Sequence, residues 1–233
     1  MLSPAVRPSR TPTPTPAVRP LPVAPLGVSG ALIVLVILTG LAIRATTGVT
    51  AVDLRILNAI STIQTPALTA LAFGVDRLFS PPFAALIVVV AGAVVLLVTR
   101  RIRPVIVFAC VAVIPWLGSE VVKQIVRRPR PDPAALTHPL TSTPASFSFP
   151  SGHTAFAVAF CLALLTVAWS TRARPYLIVA AVVIPLLTAF TRMYLGVHYL
   201  TDVVASLLLT TSAAAIVVIL GGAILTRVGR HGE

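Results

Sequence analysis

The segment Val105-Ile-Val-Phe-Ala-Cys-Val-Ala-Val-Ile-Pro-Trp-Leu-Gly-Ser-Glu-Val-Val-Lys123-Gln-Ile-Val-Arg-Arg-Pro-Arg130-Pro131 decides the fold. From Val105 to Val122 it runs for 18 residues with Glu120 as its one charge. That is enough to cross the roughly 30 Å of a bilayer's hydrocarbon as a helix, for which about 17–25 residues suffice. Lys123 ends the run, and Arg127, Arg128 and Arg130 follow among two prolines that force Arg130 out of helical geometry. The segment reads as a transmembrane helix with a cluster of cations at one end.

Five more apolar stretches flank it, at about Leu26–Ile43, Phe83–Val98, Thr154–Trp169, Tyr176–Phe190 and Val203–Leu225. Composition agrees: of 233 residues, 57% are hydrophobic and 10% charged, and the mean hydropathy is +0.98. A soluble domain needs about 25% charged residues to clothe its surface. The expected fold is all-α, an integral membrane bundle of six transmembrane helices over residues 27–226. Residues 1–26 alternate Pro with Thr, Val and Arg, which forbids a helix and supplies no core, so they read as a disordered cytoplasmic tail. Residues 227–233 read as a cytoplasmic C-terminal tail. The arginines ahead of the first apolar run also suit a signal peptide, but no convincing small-residue cleavage site follows, which favours a retained span. Between the first two spans, Leu54, Ile56, Leu57, Ile60 and Ile63 recur at helical spacing beside Asp53, Arg55 and Asn58. This is the pattern of a short amphipathic helix lying along the interface. Cys110 and Cys161 lie inside apolar runs and read as buried small hydrophobes.

The net charge of +12 would suggest nucleic acid in a soluble chain, but in a membrane chain it reports topology, because Arg and Lys accumulate in cytoplasmic loops. With six spans and the amino terminus inside, Arg7, Arg10, Arg19, Arg100, Arg101, Arg103, Arg172, Arg174, Arg227 and Arg230 all fall on the cytoplasmic side. Both termini are then cytoplasmic. Arg44, Arg55 and Arg77 are scattered on the outer side. Lys123, Arg127, Arg128, Arg130 and Arg192 crowd the outer ends of the third and fifth spans, where binding an anion explains cations kept against the topological bias. Lys123 is the only lysine in the chain. A site wanting a compact ammonium and a codon bias towards Arg both account for that.

Three segments at these ends read as chemistry. The first runs from Lys123 to Pro131. The second, Phe149-Pro150-Ser151-Gly152-His153-Thr154, opens the fourth span, and its unpaired backbone amides at the positive end of a helix dipole make a ready anion site. The third is Thr191-Arg192-Met-Tyr-Leu-Gly-Val-His198-Tyr-Leu-Thr-Asp202. If that stretch is helical, Asp202 stands one turn after His198 on the same face, where a carboxylate can hold one imidazole nitrogen and leave the other reactive.

Taken in order, Lys-x6-Arg-Pro, Pro-Ser-Gly-His and Arg-x5-His-x3-Asp resemble the type 2 phosphatidic acid phosphatase (PAP2) superfamily, the membrane lipid phosphatases that share a site with vanadium haloperoxidases and glucose-6-phosphatase. The resemblance spans Lys123 to Asp202. It implies that Lys123, Arg130 and Arg192 clamp the phosphate oxygens, and that Ser151 and the Gly152 amide add hydrogen bonds. It also implies that His198 attacks phosphorus to form a phosphohistidine, that Asp202 orients it, and that His153 protonates the leaving oxygen. The family's third motif usually begins Ser-Arg; here it begins Thr191-Arg192, which keeps a hydroxyl.

Phosphoryl transfer needs positioning and stabilisation of charge on three equatorial oxygens, which three cations and a helix terminus supply without a metal or other cofactor. Asp132, Asp202 and Glu120 are a poor set for a dimetal site. The expected activity is metal-independent hydrolysis of a lipid phosphate or diphosphate at the outer face of a bacterial inner membrane. The bilayer and its lipids are the expected partners, and nucleic acid is not. The sequence carries no reading of oligomeric state. Two alternatives stand beside hydrolysis: a phosphotransferase using the same phosphohistidine, which the sequence does not separate from it, and a non-catalytic lipid-phosphate binder, against which retention of both histidines argues. Abundant Ala, Val and Arg suit a GC-rich bacterial gene, and in bacteria the resemblance implies a polyprenyl diphosphate, phosphatidate or phosphatidylglycerophosphate as substrate. Four cations within eight residues, Lys123, Arg127, Arg128 and Arg130, favour the diphosphate.

Overall fold

A computed structural model describes residues 23–142 and 144–228. Every regular element among them is helical: α1 (Val23–Ala45), α2 (Thr47–Ser61), α3 (Pro66–Leu78), α4 (Pro81–Thr99), α5 (Ile102–Val126), α6 (Gly152–Val167), α7 (Arg174–Tyr194) and α8 (Leu200–Val228), with a 3₁₀ turn at Pro133–Ala135. The all-α integral membrane bundle is as the sequence leads one to expect. Helix α1 starts at Val23, inside the stretch read as a disordered tail, because Val23 and Ala24 extend the apolar run past Pro25 into its first turn, where proline is tolerated. The rest of that tail lies outside the described residues, as do residues 229–233 of the C-terminal one; α8 itself runs on to Val228.

Six spans are expected and five helices, α1, α4, α5, α7 and α8, are long and apolar enough to cross a membrane. The sixth, α6, has 16 residues, or about 24 Å at 1.5 Å per residue, and stops short of the hydrocarbon thickness. Its surroundings account for this. It contributes no exposed large hydrophobic, whereas Val89 and Leu97 of α4, Val121 of α5 and Val179 of α7 are exposed in the manner of lipid-facing residues. α6 packs against α5, α7 and α8, and its buried Ala155, Ala157, Ala159 and Ala163 let those backbones come close. A helix enclosed by protein has no bilayer thickness to match.

The segment expected to form one amphipathic helix forms two. Thr65 caps α3 by accepting from the Leu68 amide at 3.2 Å, and Pro66 occupies the first turn, so a new helix starts where α2 ends. The buried face of α2 consists of Asp53, Leu57 and Ser61, while Ile63 is exposed. The buried face of α2 therefore begins with a carboxylate and ends with a hydroxyl, where the sequence read it as apolar. The Tyr194 hydroxyl binds Thr65 and Thr69 and ties the start of α3 to α7. Phe79, at the end of α3, packs edge-on against Phe156 of α6 with ring centroids 5.4 Å apart. These two anchors fix α3, and with it Asp76, beside the start of α6.

Candidate active site

Lys123 lies in the last turn of α5, Gly152 and His153 open α6, Arg192 lies in the last turn of α7, and Asp202 lies in the first turn of α8. All three segments singled out by the sequence converge at this end of the bundle. Lys123 Nζ donates to both Glu120 oxygens, at 2.7 and 2.9 Å. A Cβ on Gly152 would stand 2.6 Å from Glu120 Oε1 and 3.2 Å from Lys123 Nζ, so the lack of a side chain is what lets this pair approach the α6 terminus. Arg130, past the helix, donates from Nε to the Ser146 carbonyl and from Nη1 to the Val197 carbonyl, both at 2.7 Å. Burial, reinforced by repulsion from Arg192, pushes the Arg130 guanidinium down to about 10, which leaves it charged at neutral pH.

His198 is buried in the turn between α7 and α8, just after Gly196, whose φ of +70° suits glycine. Arg130 Nη1 lies 3.0 Å from its Nε2. A guanidinium can only donate, so Nε2 is the acceptor nitrogen and the ring proton belongs on Nδ1. Nδ1 faces Asp202 Oδ2 at 3.6 Å, too long for a hydrogen bond, and has no hydrogen-bond partner. His198 lies outside α8, so the juxtaposition expected from one helical turn arises instead from a turn leading into the helix. Burial first, then repulsion from Arg130, Arg192, Lys123 and His153, holds the imidazole well below its ordinary range, so it is neutral at physiological pH.

His153 Nε2 lies 3.0 Å from the Asp76 carbonyl oxygen and 3.3 Å from Asp76 Oδ1. Arg192 Nη1 pairs with the same carboxylate, while Arg192 Nε is buried without a partner. The hydrogen bond from His153, helped by Arg192, holds the Asp76 carboxyl down to about 2.

Several of these side chains have partners within the protein. Ser151 caps α6: its hydroxyl, wholly buried, accepts from the Thr154 amide and hydroxyl, at 3.5 and 3.1 Å. Thr191 is buried and donates to the Thr188 carbonyl at 2.8 Å, so the hydroxyl in place of the family's usual serine serves its own helix. Arg127, in left-handed conformation at the end of α5, is exposed and turns back onto the Gln124 carbonyl. Arg128 is buried between Asp53 and Asp202. Neither joins Lys123 and Arg130, which removes the four-cation argument for a diphosphate. Asp53 and Asp76 were missed as contributors altogether. Among the described residues no group of three or more His, Cys, Asp or Glu side chains is arranged to hold a metal ion.

Such a fold and site, a cluster of cationic side chains with two histidines at one end of an apolar helical bundle, define the class as a multi-helix membrane protein. A family model for the PAP2 superfamily matches residues 103–224, more than half the chain, and the protein belongs to that family as a lipid phosphatase. It is 31% identical over 166 residues to phosphatidylglycerophosphatase B of Bacillus subtilis, covering 68% of this chain and 78% of that one. It is also 31% identical over 164 residues to decaprenylphosphoryl-5-phosphoribose phosphatase of Mycobacterium tuberculosis, covering 70% and 85%. The crystal structure of a transmembrane PAP2-type phosphatidylglycerolphosphate phosphatase from Bacillus subtilis superposes with a TM-score of 0.69 at 26% identity, over 81% of this chain and 93% of that one.

Proposed function

We propose that the protein hydrolyses the phosphomonoester of a membrane lipid through a phosphohistidine on His198, without a metal. The observation that carries this is the buried His198, whose Nε2 lies beside Arg130 while its other nitrogen faces Asp202. In this reading the lipid phosphate enters between Lys123, Arg130 and Arg192, satisfies the Arg192 Nε, and draws Arg130 away from Nε2, which frees the lone pair. Nε2 then forms a bond to phosphorus as the bond to the lipid oxygen breaks. His153, oriented through Nε2 by Asp76, passes a proton to the departing oxygen. Water, deprotonated by the same histidine, attacks the phosphohistidine and releases phosphate. Asp202 balances the charge that the His198 ring acquires.

A monoester fits better than a diphosphate because Arg127 and Arg128 are turned elsewhere, and because Glu120 and Asp76 offset two of the three remaining cations. The names of the relatives, phosphatidylglycerophosphatase and decaprenylphosphoryl-5-phosphoribose phosphatase, support a phosphorylated lipid. Purified protein in mixed micelles is expected to release phosphate from phosphatidylglycerophosphate or phosphatidate faster than from undecaprenyl diphosphate, undiminished by EDTA. Loss of activity in EDTA, restored by Mg²⁺, would overturn the metal-free mechanism. A preference for the diphosphate would overturn the substrate class.

The site is proposed to face outwards. Arg100, Arg101, Arg103, Arg172 and Arg174 are exposed at the end opposite the site, where the α4–α5 and α6–α7 connections lie, and such clusters stay on the cytoplasmic side. In this orientation both termini are cytoplasmic. On intact cells an impermeant thiol reagent should label Thr137→Cys and spare Ala173→Cys; the reverse pattern would invert the orientation.

A further inference from the structure

Arg128 is 1% exposed, the largest fully buried side chain described, and the proposed mechanism gives it no part. Its guanidinium bridges two carboxylates. Nη1 donates to Asp202 Oδ1 at 2.8 Å and to Thr201 Oγ1 at 2.7 Å, while Nη2 donates to Asp53 Oδ2 at 2.9 Å and to Thr50 Oγ1 at 3.2 Å. Its plane lies over the Tyr199 ring, 3.9 Å from the centroid, and the Tyr199 amide donates to Asp202 Oδ2 at 2.9 Å. Asp53 in turn binds the Thr201 amide and hydroxyl at the start of α8. Asp53 and Asp202 are 2% and 0% exposed.

We propose that Asp53 and Arg128 are positioning residues for the phosphoryl transfer: they hold Asp202 by Oδ1, leave Oδ2 facing His198, and touch no substrate. This rests on His198 being the nucleophile. Geometry gives the first half of the argument. Only a planar fork can meet both carboxylates at separate nitrogens, and the contacts to Tyr199 and Thr201 lock that fork. Charge gives the second. An Arg128–Asp202 pair alone would be neutral, and Asp202 would offer little to a ring becoming cationic. With Asp53 the buried group carries two negative charges against one positive, so a net negative charge persists next to His198, in a low-dielectric site where it acts strongly. Helix α2, which the sequence placed along the interface, is by this route part of the catalytic apparatus.

Asp53→Asn keeps the shape and removes the charge. It should lower kcat about 10- to 100-fold, the scale on which partners behind a functional imidazole act, while competitive inhibition by inorganic phosphate, which reports the phosphate clamp, stays unchanged. In an Asp202→Asn background the same substitution should cost almost nothing further, because it acts through Asp202. Thr201→Val, which removes only the bridging hydroxyl, is a milder second variant for the same cycle should Asp53→Asn not fold. Independent, multiplying losses from Asp53 and Asp202 would show a merely structural staple and overturn the proposal. So would wild-type kcat in folded Asp53→Asn, or an Arg128→Lys variant whose inhibition by inorganic phosphate weakens in step with its kcat/KM. Coupling between Asp53 and Asp202 in an enzyme that forms no phosphohistidine would support the positioning role and sink the nucleophile assignment alone.

Discussion

Replacing His198 by Ala is expected to take lipid-phosphate turnover to background and to leave no phosphoenzyme to trap. The residue is 1% exposed and held in the turn after Gly196, and the proposed mechanism gives the first step no other nucleophile. Losing one member of a unit that acts together costs nearly as much as losing the whole, on the order of 10⁴-fold or more. Acid-labile, alkali-stable label from a ³²P-phosphorylated lipid should appear on the wild type after rapid quenching and be absent from the variant. The cavity left by the imidazole could destabilise the fold, so His198→Gln, of similar volume, should be measured alongside and show the same loss. Retention of most lipid phosphatase activity by either folded variant would remove His198 from the role of nucleophile.

What made His198 legible in the sequence, and Asp53 and Asp76 not, is a matter of where each partner comes from. His198 and Asp202 are four residues apart, and Lys123 and Arg130 frame a single helix end; short spacings of this kind survive in sequence. Asp53 binds Thr201 across 148 residues, and Arg192 meets Asp76 across 116. Nothing local in α2 or α3 announces those partners. One signal was available: the chain has six acidic residues, and Asp53 stands four before Leu57 and eight before Ser61 on one helical face. A carboxylate on the inward face of a membrane-associated helix calls for a cation.

Arg128 was misassigned for a related reason. The left-handed backbone at Arg127, φ 51°, turns the chain at the end of α5 and sends consecutive arginines to opposite sides, one to solvent and one into the core. Charge counting along the segment cannot see that reversal. The hydrophobic runs did give the helices, since their length is a local property. The shortness of α6 and its enclosure by other helices were not legible, because an apolar run has the same composition whether lipid or other helices surround it.

His153 should fail differently from His198, and the difference lies in the leaving group. Its ring sits in the first turn of α6 with Nε2 against Asp76, a carboxylate held down to about 2 and hence ionised throughout the working pH range. That contact fixes the ring through Nε2, and Nδ1 is the position from which the proton leaves in this reading. His153→Ala removes the proton donor but leaves the clamp and the nucleophile in place. General acid catalysis contributes about 10²–10⁴-fold, and that is the expected loss in kcat on a lipid phosphate, whose alkoxide cannot depart unprotonated. On p-nitrophenyl phosphate the leaving phenolate is stable without a proton, so the first step should be nearly unaffected. Attack of water on the phosphohistidine still lacks its base there, so labelled phosphoenzyme should accumulate in the variant on the aryl substrate and not on the lipid. Equal losses on both substrates with no accumulation would mean that His153 only shapes the anion pocket, and the acid would have to be sought elsewhere at this end of the bundle.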